Sequence, residues 1–388
     1  MQPERFTISA PDEVLVDLKR RLKDTRWPDE LPGSGWDYGT NPGYLKELVA
    51  YWQNDYDWRL HEARLNGFDQ FLVNIDGLNI HYIYEPGKGT RSFPIVLTHG
   101  WPDSFLRFEK IIPMLTDPEA YGADPEDAFD VVVPSLPGFG FSEPGSAGNI
   151  FKVHSLWNTL MTKVLGYESY GAHGGDWGAI VTEHLGRSYP QHVVGIHLTE
   201  VSFIHTFQKP AHLSDAEKEY LAAMEQFQMT EGAYNMIQST RPQTLACGLD
   251  DSPTGLAAWI VEKFQSMKGS DDIEKSFSKD ELLTNITLYW VTRSILSSFL
   301  PYYDLMSAGA FTWIGEKIKE WVGTSEVPAG FALFPKDNSH PPREWAERFF
   351  NVQRWTHLKR GAHFTAMEEP ALLAEDIRAF FRPFRVKG

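Results

Sequence analysis

Short apolar runs alternate with amphipathic stretches through the middle of this chain, and that alternation restricts its fold more than any other feature. Ile95–Thr98, Val131–Val133, Tyr170–Ala172 and Val193–Leu198 read as strands, with helical patterns such as Val153–Leu165 and Trp177–Ser188 between them. Strands separated by helices need crossover connections, so they build an α/β fold: a mostly parallel central sheet with helices on both faces. The alternation stops near residue 202. Residues 203–320 read almost wholly as helices and loops carrying scattered Tyr, Trp and Met. Strand patterns return at Gly330–Phe334 and Arg354–Leu358, and a final helix follows around Pro370–Phe380. A helical insertion that splits a parallel sheet before its last strands is expected to cover the carboxyl edge as a lid. That edge is where such sheets carry their sites.

Ahead of the sheet, residues 11–67 are helix-like. Tyr44, Leu45, Leu48, Val49 and Trp52 share one apolar face at helical spacing. The segment Phe71–Tyr84 alternates as a β-hairpin turning at Asp76-Gly77. These patterns divide the 388 residues into an N-terminal helical extension (1–67), a first core part (68–202), the lid (203–320) and a second core part (321–388). An extension this short cannot bury a large core alone, so it is expected to pack on the remainder.

Charge and cysteine usage narrow the partners. A formal net charge of −16 repels phosphate backbones and anionic lipid heads, so neither nucleic acid nor a membrane is expected as a partner. The first residues lack the basic and then apolar run of a secretory signal, and no apolar stretch approaches the roughly 18 residues that span a bilayer. Cys247 is the sole cysteine, which excludes an internal disulfide and suits a reducing, cytoplasmic setting. Without a Cys pair at zinc spacing or a His-Glu-x-x-His, no metal is expected, and no cofactor motif is present. Aromatic residues make up 14% of the chain, enough to line a cavity as well as fill a core.

The chemistry concentrates in Gly174-Gly-Asp-Trp-Gly178, which follows a strand pattern and opens a helix pattern. Small residues on either side of a central side chain permit the tight strand-to-helix turn known as a nucleophile elbow. Here the projecting side chain is the carboxylate of Asp176. A carboxylate attacking an ester carbonyl would give an energetic anhydride, whereas attack on a strained or activated saturated carbon gives an ordinary alkyl ester. Asp176 therefore points to epoxides or alkyl halides. The bland alternative is an Asp helix cap after a glycine turn.

Other groups are expected around it. His99-Gly-Trp-Pro102 directly follows the strand Ile95–Thr98, and a loop in that place supplies one oxyanion amide while the residue after the nucleophile supplies the other. The backbones of Trp101 and Trp177 are the expected donors. Trp101, Trp177 and Phe364 are the residues expected against the substrate. His363, in Gly361-Ala-His-Phe364, lies between the last strand pattern and the last helix and could activate water. An acid should orient it. Asp337, just past Gly330–Phe334, is favoured, and Glu200, past Val193–Leu198, is the rival. Opening an epoxide also needs a proton donor for the departing oxygen, and a lid phenol would serve. Tyr220, Tyr234, Tyr289, Tyr302 and Tyr303 are all candidates by position.

The four motifs His99-Gly-Trp-Pro102, Gly138-Phe-Gly-Phe-Ser142, Gly174-Gly-Asp-Trp-Gly178 and Gly361-Ala-His-Phe364, with Arg26-Trp27-Pro28 in the extension, resemble epoxide hydrolases of the microsomal and juvenile-hormone type. The resemblance runs from about residue 4 to residue 383. It implies an α/β-hydrolase fold and a triad of Asp176, Asp337 and His363 acting on a small-molecule epoxide. It also implies two lid tyrosines: Tyr234, set in Gly232-Ala-Tyr-Asn-Met, and Tyr302, set in Ser298-Phe-Leu-Pro-Tyr, with Tyr303 beside it. Ala362 departs from the family's usual second Gly, the acid is Asp where animal members tend to have Glu, and the microsomal membrane anchor is not expected here. Two other readings stay open: a haloalkane dehalogenase, which would need halide-binding N–H donors in place of phenols, and a non-catalytic ligand-binding protein of the same fold. A homodimer is left open as well.

Overall fold

A two-residue turn at Asp76 and Gly77, with φ of 51° and 86°, fixes the first register of the sheet. Positive φ at both central residues gives the tight hairpin turn whose twist suits its flanking strands. It joins β2 (Gln70–Ile75) to β3 (Leu78–Glu85), pairing Ile75 with Leu78. With β1 (Glu4–Arg5), β4 (Phe93–Thr98), β5 (Phe129–Pro134), β6 (Tyr170–Gly174), β7 (Val193–Leu198), β8 (Ser325–Leu333) and β9 (Phe350–His357), these strands form one nine-stranded sheet. Its order is β1-β2-β3-β5-β4-β6-β7-β8-β9, antiparallel from β1 to β5 and parallel from β5 to β9. The structure, a computed structural model, describes residues 1–145, 149–207, 210–307 and 323–385. Residues 208–209 and 308–320 of the predicted lid, with 146–148, 321–322 and 386–388, lie outside the described residues.

The central strands are apolar because both of their faces are covered. Ile95, Val96, Leu97 and Val131–Val133 are fully buried, as parallel strands between helical layers must be. The N-terminal segment adds α1 (Asp12–Lys23), α2 (Pro42–Asn54) and α3 (Trp58–Leu65). The core then carries α4 (Ile111–Thr116), α5 (Val153–Thr159) and α6 (Trp177–Ser188). Between β7 and β8 come α7 (Asp215–Thr230), α8 (Ala233–Thr240), α9 (Pro242–Leu249) and α10 (Pro253–Ser266). The same insertion continues with α11 (Ile273–Ser276), α12 (Lys279–Thr292), α13 (Ile295–Ser298) and α14 (Leu300–Ser307). The last helices are α15 (Arg343–Glu347), α16 (Thr365–Glu368) and α17 (Pro370–Phe381). Among the described residues no helix is long and apolar enough to cross a membrane.

The first 67 residues touch both the sheet and the insertion. β1 pairs with β2 at the sheet's edge, while α1 and α2 pack on α10 and α3 packs on α12. The apolar face foreseen on α2 buries Leu45, Leu48, Val49 and Trp52. Polar pins fix the contact: Tyr51 Oη donates to Asp280 at 2.9 Å, Tyr56 Oη donates to Thr284 at 3.1 Å, and the Thr25 and Thr254 hydroxyls lie 2.7 Å apart.

At the carboxyl edge a buried ion pair joins two loops. Asp103 and Arg107 are almost fully buried, with Arg107 Nη1 2.8 Å from Asp103 Oδ2. Asp103 Oδ1 accepts from the Gly100 amide at 2.9 Å, and Arg107 Nη2 donates to the carbonyl of His363 at 2.5 Å. The insertion closes on the same loop. Asn285 donates to the Pro102 carbonyl at 2.7 Å and Tyr289 to the Asp103 carbonyl at 2.9 Å.

Two outcomes are expected from this packing. Removing residues 1–67 strips the cover from α10 and α12 and uncovers apolar surface worth about 1.5–3 kcal/mol per large side chain. Limited proteolysis should therefore yield no stable, active fragment starting near residue 68. Arg107→Met should leave the Asp103 charge buried and alone, costing about 3–5 kcal/mol, read as a lowered denaturation midpoint. A midpoint equal to the parent's would remove the ion pair from the account of this edge.

Candidate active site

The elbow lies where the sequence places it, between the end of β6 and the start of α6. Asp176 has φ 56° and ψ −129°, a strained backbone that costs of order 1–3 kcal/mol and persists only when its surroundings enforce it. Close approach supplies the enforcement. A Cβ on Gly178 would stand 2.0 Å from the Thr98 carbonyl oxygen, and one on Gly100 would stand 2.2 Å from Asp176 Oδ1. Both positions must therefore be glycine for β4, the elbow and α6 to meet.

This turn aims the Asp176 carboxylate at two amides. Trp101 N–H donates to Asp176 Oδ1 at 2.9 Å, and the Trp177 amide adds to the stabilisation of the charged carboxylate. His363 Nε2 stands 3.5 Å from Asp176 Oδ2, and His363 Nδ1 lies 3.1 Å from Asp337 Oδ1. Burial pushes the Asp176 carboxyl up, but the hydrogen bond and charge of His363, joined by the two amides, outweigh it and hold the group below its usual range. Burial pushes His363 down, but its bonds to Asp176 and Asp337 prevail and lift it well above 6.5. The two carboxylates on either side of the ring thus favour its imidazolium form.

Two phenols face the carboxylate from the insertion. Tyr234, on α8, stacks on the Trp101 indole with ring centroids 5.3 Å apart, and Tyr302, on α14, meets the Trp177 indole edge-on at 4.8 Å. Their own rings are 6.1 Å apart, edge to face. Burial, reinforced by the Asp176 charge, pushes both phenols well above 10, so both are protonated at neutral pH. The buried Lys263 ammonium lies 4.7 Å from the Tyr234 ring centre and supports its far face. Of the other candidate tyrosines, Tyr220 bonds Ser339, Tyr289 bonds the Asp103 carbonyl and Tyr303 is partly exposed.

A narrow cavity separates the carboxylate from these phenols. Asp176, Trp177, Tyr234, Tyr302 and His363 line it, with an apolar wall that includes Met224 and Phe227 of α7. Trp101 and Phe364, expected against the substrate, are not among the residues that line this cavity. The Trp101 ring is covered by Tyr234 and Tyr302, so it offers the site its amide and a platform for the phenols. Phe364 is fully buried, stacked on Phe264 at 4.2 Å and edge-on to Phe277, and it supports His363 from below.

The sequence reading missed Asp103 and Arg107. Their signal was available: an acid and a base four residues apart inside an apolar stretch directly after His99-Gly-Trp-Pro102. Glu200, the rival acid, does not bond His363 Nδ1, yet it reaches the same cavity. Among the described residues, Glu200, Asp337 and His363 form the one group close enough to hold a metal ion, their donor atoms lying within 4.8 Å of one another.

Known proteins resemble this chain over most of its length. The family model described as "Epoxide hydrolase N terminus" matches residues 3–108, and that of the alpha/beta hydrolase fold matches residues 94–233. A putative epoxide hydrolase of Stigmatella aurantiaca is 42% identical over 98% of this chain and 85% of its own length. Epoxide hydrolase 1 of Sus scrofa is 37% identical over 97% of this chain and 87% of its own. The crystal structure of juvenile hormone epoxide hydrolase from the silkworm Bombyx mori superposes with a TM-score of 0.87 and 30% identity, covering 99% of this chain and 95% of that one. With relatives this similar along nearly their whole length, and with an aspartate at the strained turn between β6 and α6, the chain belongs to the epoxide hydrolase family of the α/β-hydrolase fold.

Proposed function

We propose that the chain hydrolyses a small-molecule epoxide to a vicinal diol through a covalent ester on Asp176, with residues 203–320 acting as the lid. The observation that carries this reading is the facing of an ionised carboxylate, held by the Trp101 amide, and two protonated phenols across one narrow cavity.

In the first step the carboxylate attacks a ring carbon. The carbon–oxygen bond of the epoxide breaks, and the departing oxygen takes a proton from Tyr234 or Tyr302. A buried phenol is a weak acid, so it yields its proton only as alkoxide character develops. Ester formation erases the charge on Asp176, one of the two charges that hold His363 protonated. The imidazolium then releases its proton, which balances the one taken from the phenol.

In the second step neutral His363 accepts a proton from water as the water attacks the ester carbonyl. The amides of Trp101 and Trp177 stabilise the resulting oxyanion, an effect typically worth about 2.7–4 kcal/mol per donor. Collapse breaks the bond between the carbonyl carbon and the diol oxygen. The second water proton passes to the diol, and Asp176 returns to its ion pair with His363. Asp337 keeps the ring oriented and its charge balanced throughout.

His363→Gln should still be alkylated but should not turn over. The expected result is consumption of about one equivalent of epoxide per site, an intact mass raised by the whole substrate, and the adduct mapped to Asp176. A folded, ligand-binding His363→Gln enzyme that acquires no adduct would favour direct attack by water. The double variant Tyr234→Phe with Tyr302→Phe separates epoxide from halide chemistry. Diol formation should fall by at least about 100-fold, the usual scale of general acid catalysis. Release of halide from an alkyl halide at an undiminished rate in that variant would support the dehalogenase reading instead.

A further inference from the structure

Glu200 faces the cavity from the loop after β7, and neither step above gives it a task. One of its oxygens, one oxygen of Asp337 and one ring nitrogen of His363 lie within 4.8 Å of each other. Asp337 Oδ1 is occupied, accepting from His363 and from the Asn338 amide at 2.7 Å. Asp337 Oδ2 is buried without a hydrogen-bond partner. A buried acceptor left bare costs about 1–3 kcal/mol, and the Glu200 carboxyl, within 4.8 Å of an Asp337 oxygen, is the neighbouring group that can donate to it when protonated.

We propose that Glu200 is a positioning residue for the hydrolytic step: in its neutral form it donates a hydrogen bond to the bare oxygen of Asp337, and once ionised it becomes a further carboxylate that holds His363 protonated and idle. This inference rests on the ester reading above and deepens it.

The charges around Glu200 support both halves. Asp337 and Asp176 face it as carboxylates, His363 and Arg107 as cations, and Tyr220 and Tyr234 as phenols. Burial, followed by the charge on Asp337, lifts the Glu200 carboxyl to about 8, with His363 and Arg107 opposing. The neutral, donating form therefore prevails below that pH and the carboxylate above it. No phenol competes in this range, since burial lifts Tyr220 to about 12 and holds Tyr234 and Tyr302 well above 10.

The test is the pH profile of diol formation between about pH 6 and 10 for the parent, Glu200→Gln and Glu200→Met, each checked for folding by its denaturation midpoint. The parent rate should fall several-fold as pH rises through about 8. Glu200→Gln, which keeps a donor and cannot ionise, should lose only about twofold at neutral pH and lack that fall. Glu200→Met, neutral but unable to donate, should also lack the fall but run roughly tenfold slower at neutral pH, the effect of one lost hydrogen bond. Persistence of the fall in Glu200→Gln overturns the proposal, as does a Glu200→Met profile that superposes on that of Glu200→Gln. The adduct on His363→Gln reports on the ester alone, so failure of the ester and failure of Glu200's role are read from different samples.

Discussion

An ionised carboxylate shut beneath a helical insertion must be compensated, because an isolated buried charge costs many kcal/mol. Much of the architecture around Asp176 answers that requirement. The Trp101 amide and the His363 ring meet its oxygens from two different loops at the carboxyl edge, and the Trp177 amide adds to its stabilisation. Those loops are in turn bound together, since Asp103 holds the Gly100 amide while its partner Arg107 holds the His363 carbonyl. The strained backbone at Asp176 belongs to the same scheme. It brings the carboxylate to the amides, and the contacts that allow no Cβ on Gly100 and Gly178 keep it there.

The sequence made the sheet's centre legible and its edges less so. β7 and α6 match their patterns residue for residue, because strands covered on both faces read as unbroken apolar runs and the glycine turn marks the helix start. The outer strands β8 and β9 begin five and four residues before the expected Gly330 and Arg354. β8 opens with Ser325, Glu326 and Pro328, and β9 alternates exposed Asn351 and Gln353 with buried neighbours, so neither shows its full length as an apolar run. β1, only two residues long, has no periodicity to detect.

The candidate site divides along a similar line. Asp176 and His363 were legible because chain order and turn chemistry locate them. Tyr234 and Tyr302 were not separable from the other lid tyrosines by position, since facing the carboxylate is a property of helix packing. The setting of Phe364 was not legible for the same reason: next to His363 in sequence, its ring packs in the Phe264 and Phe277 cluster. The roles of Asp103, Arg107 and Glu200 depend on burial, which a sequence does not display.

Trp101 and Trp177 each serve the two sides of the cavity at once, giving the carboxylate a backbone amide and giving a phenol an indole to lie against. The spacing between attacking group and proton donor is thereby built into two shared residues, as a fixed gauge. Met224 and Phe227, on α7, contribute an apolar wall to the same cavity from a helix that carries neither the carboxylate nor a phenol. Substitution of that wall can reshape what fits in the cavity while the gauge stays constant. The residues that shape the space and the residues that hold the reacting groups thus sit on different helices around one cavity.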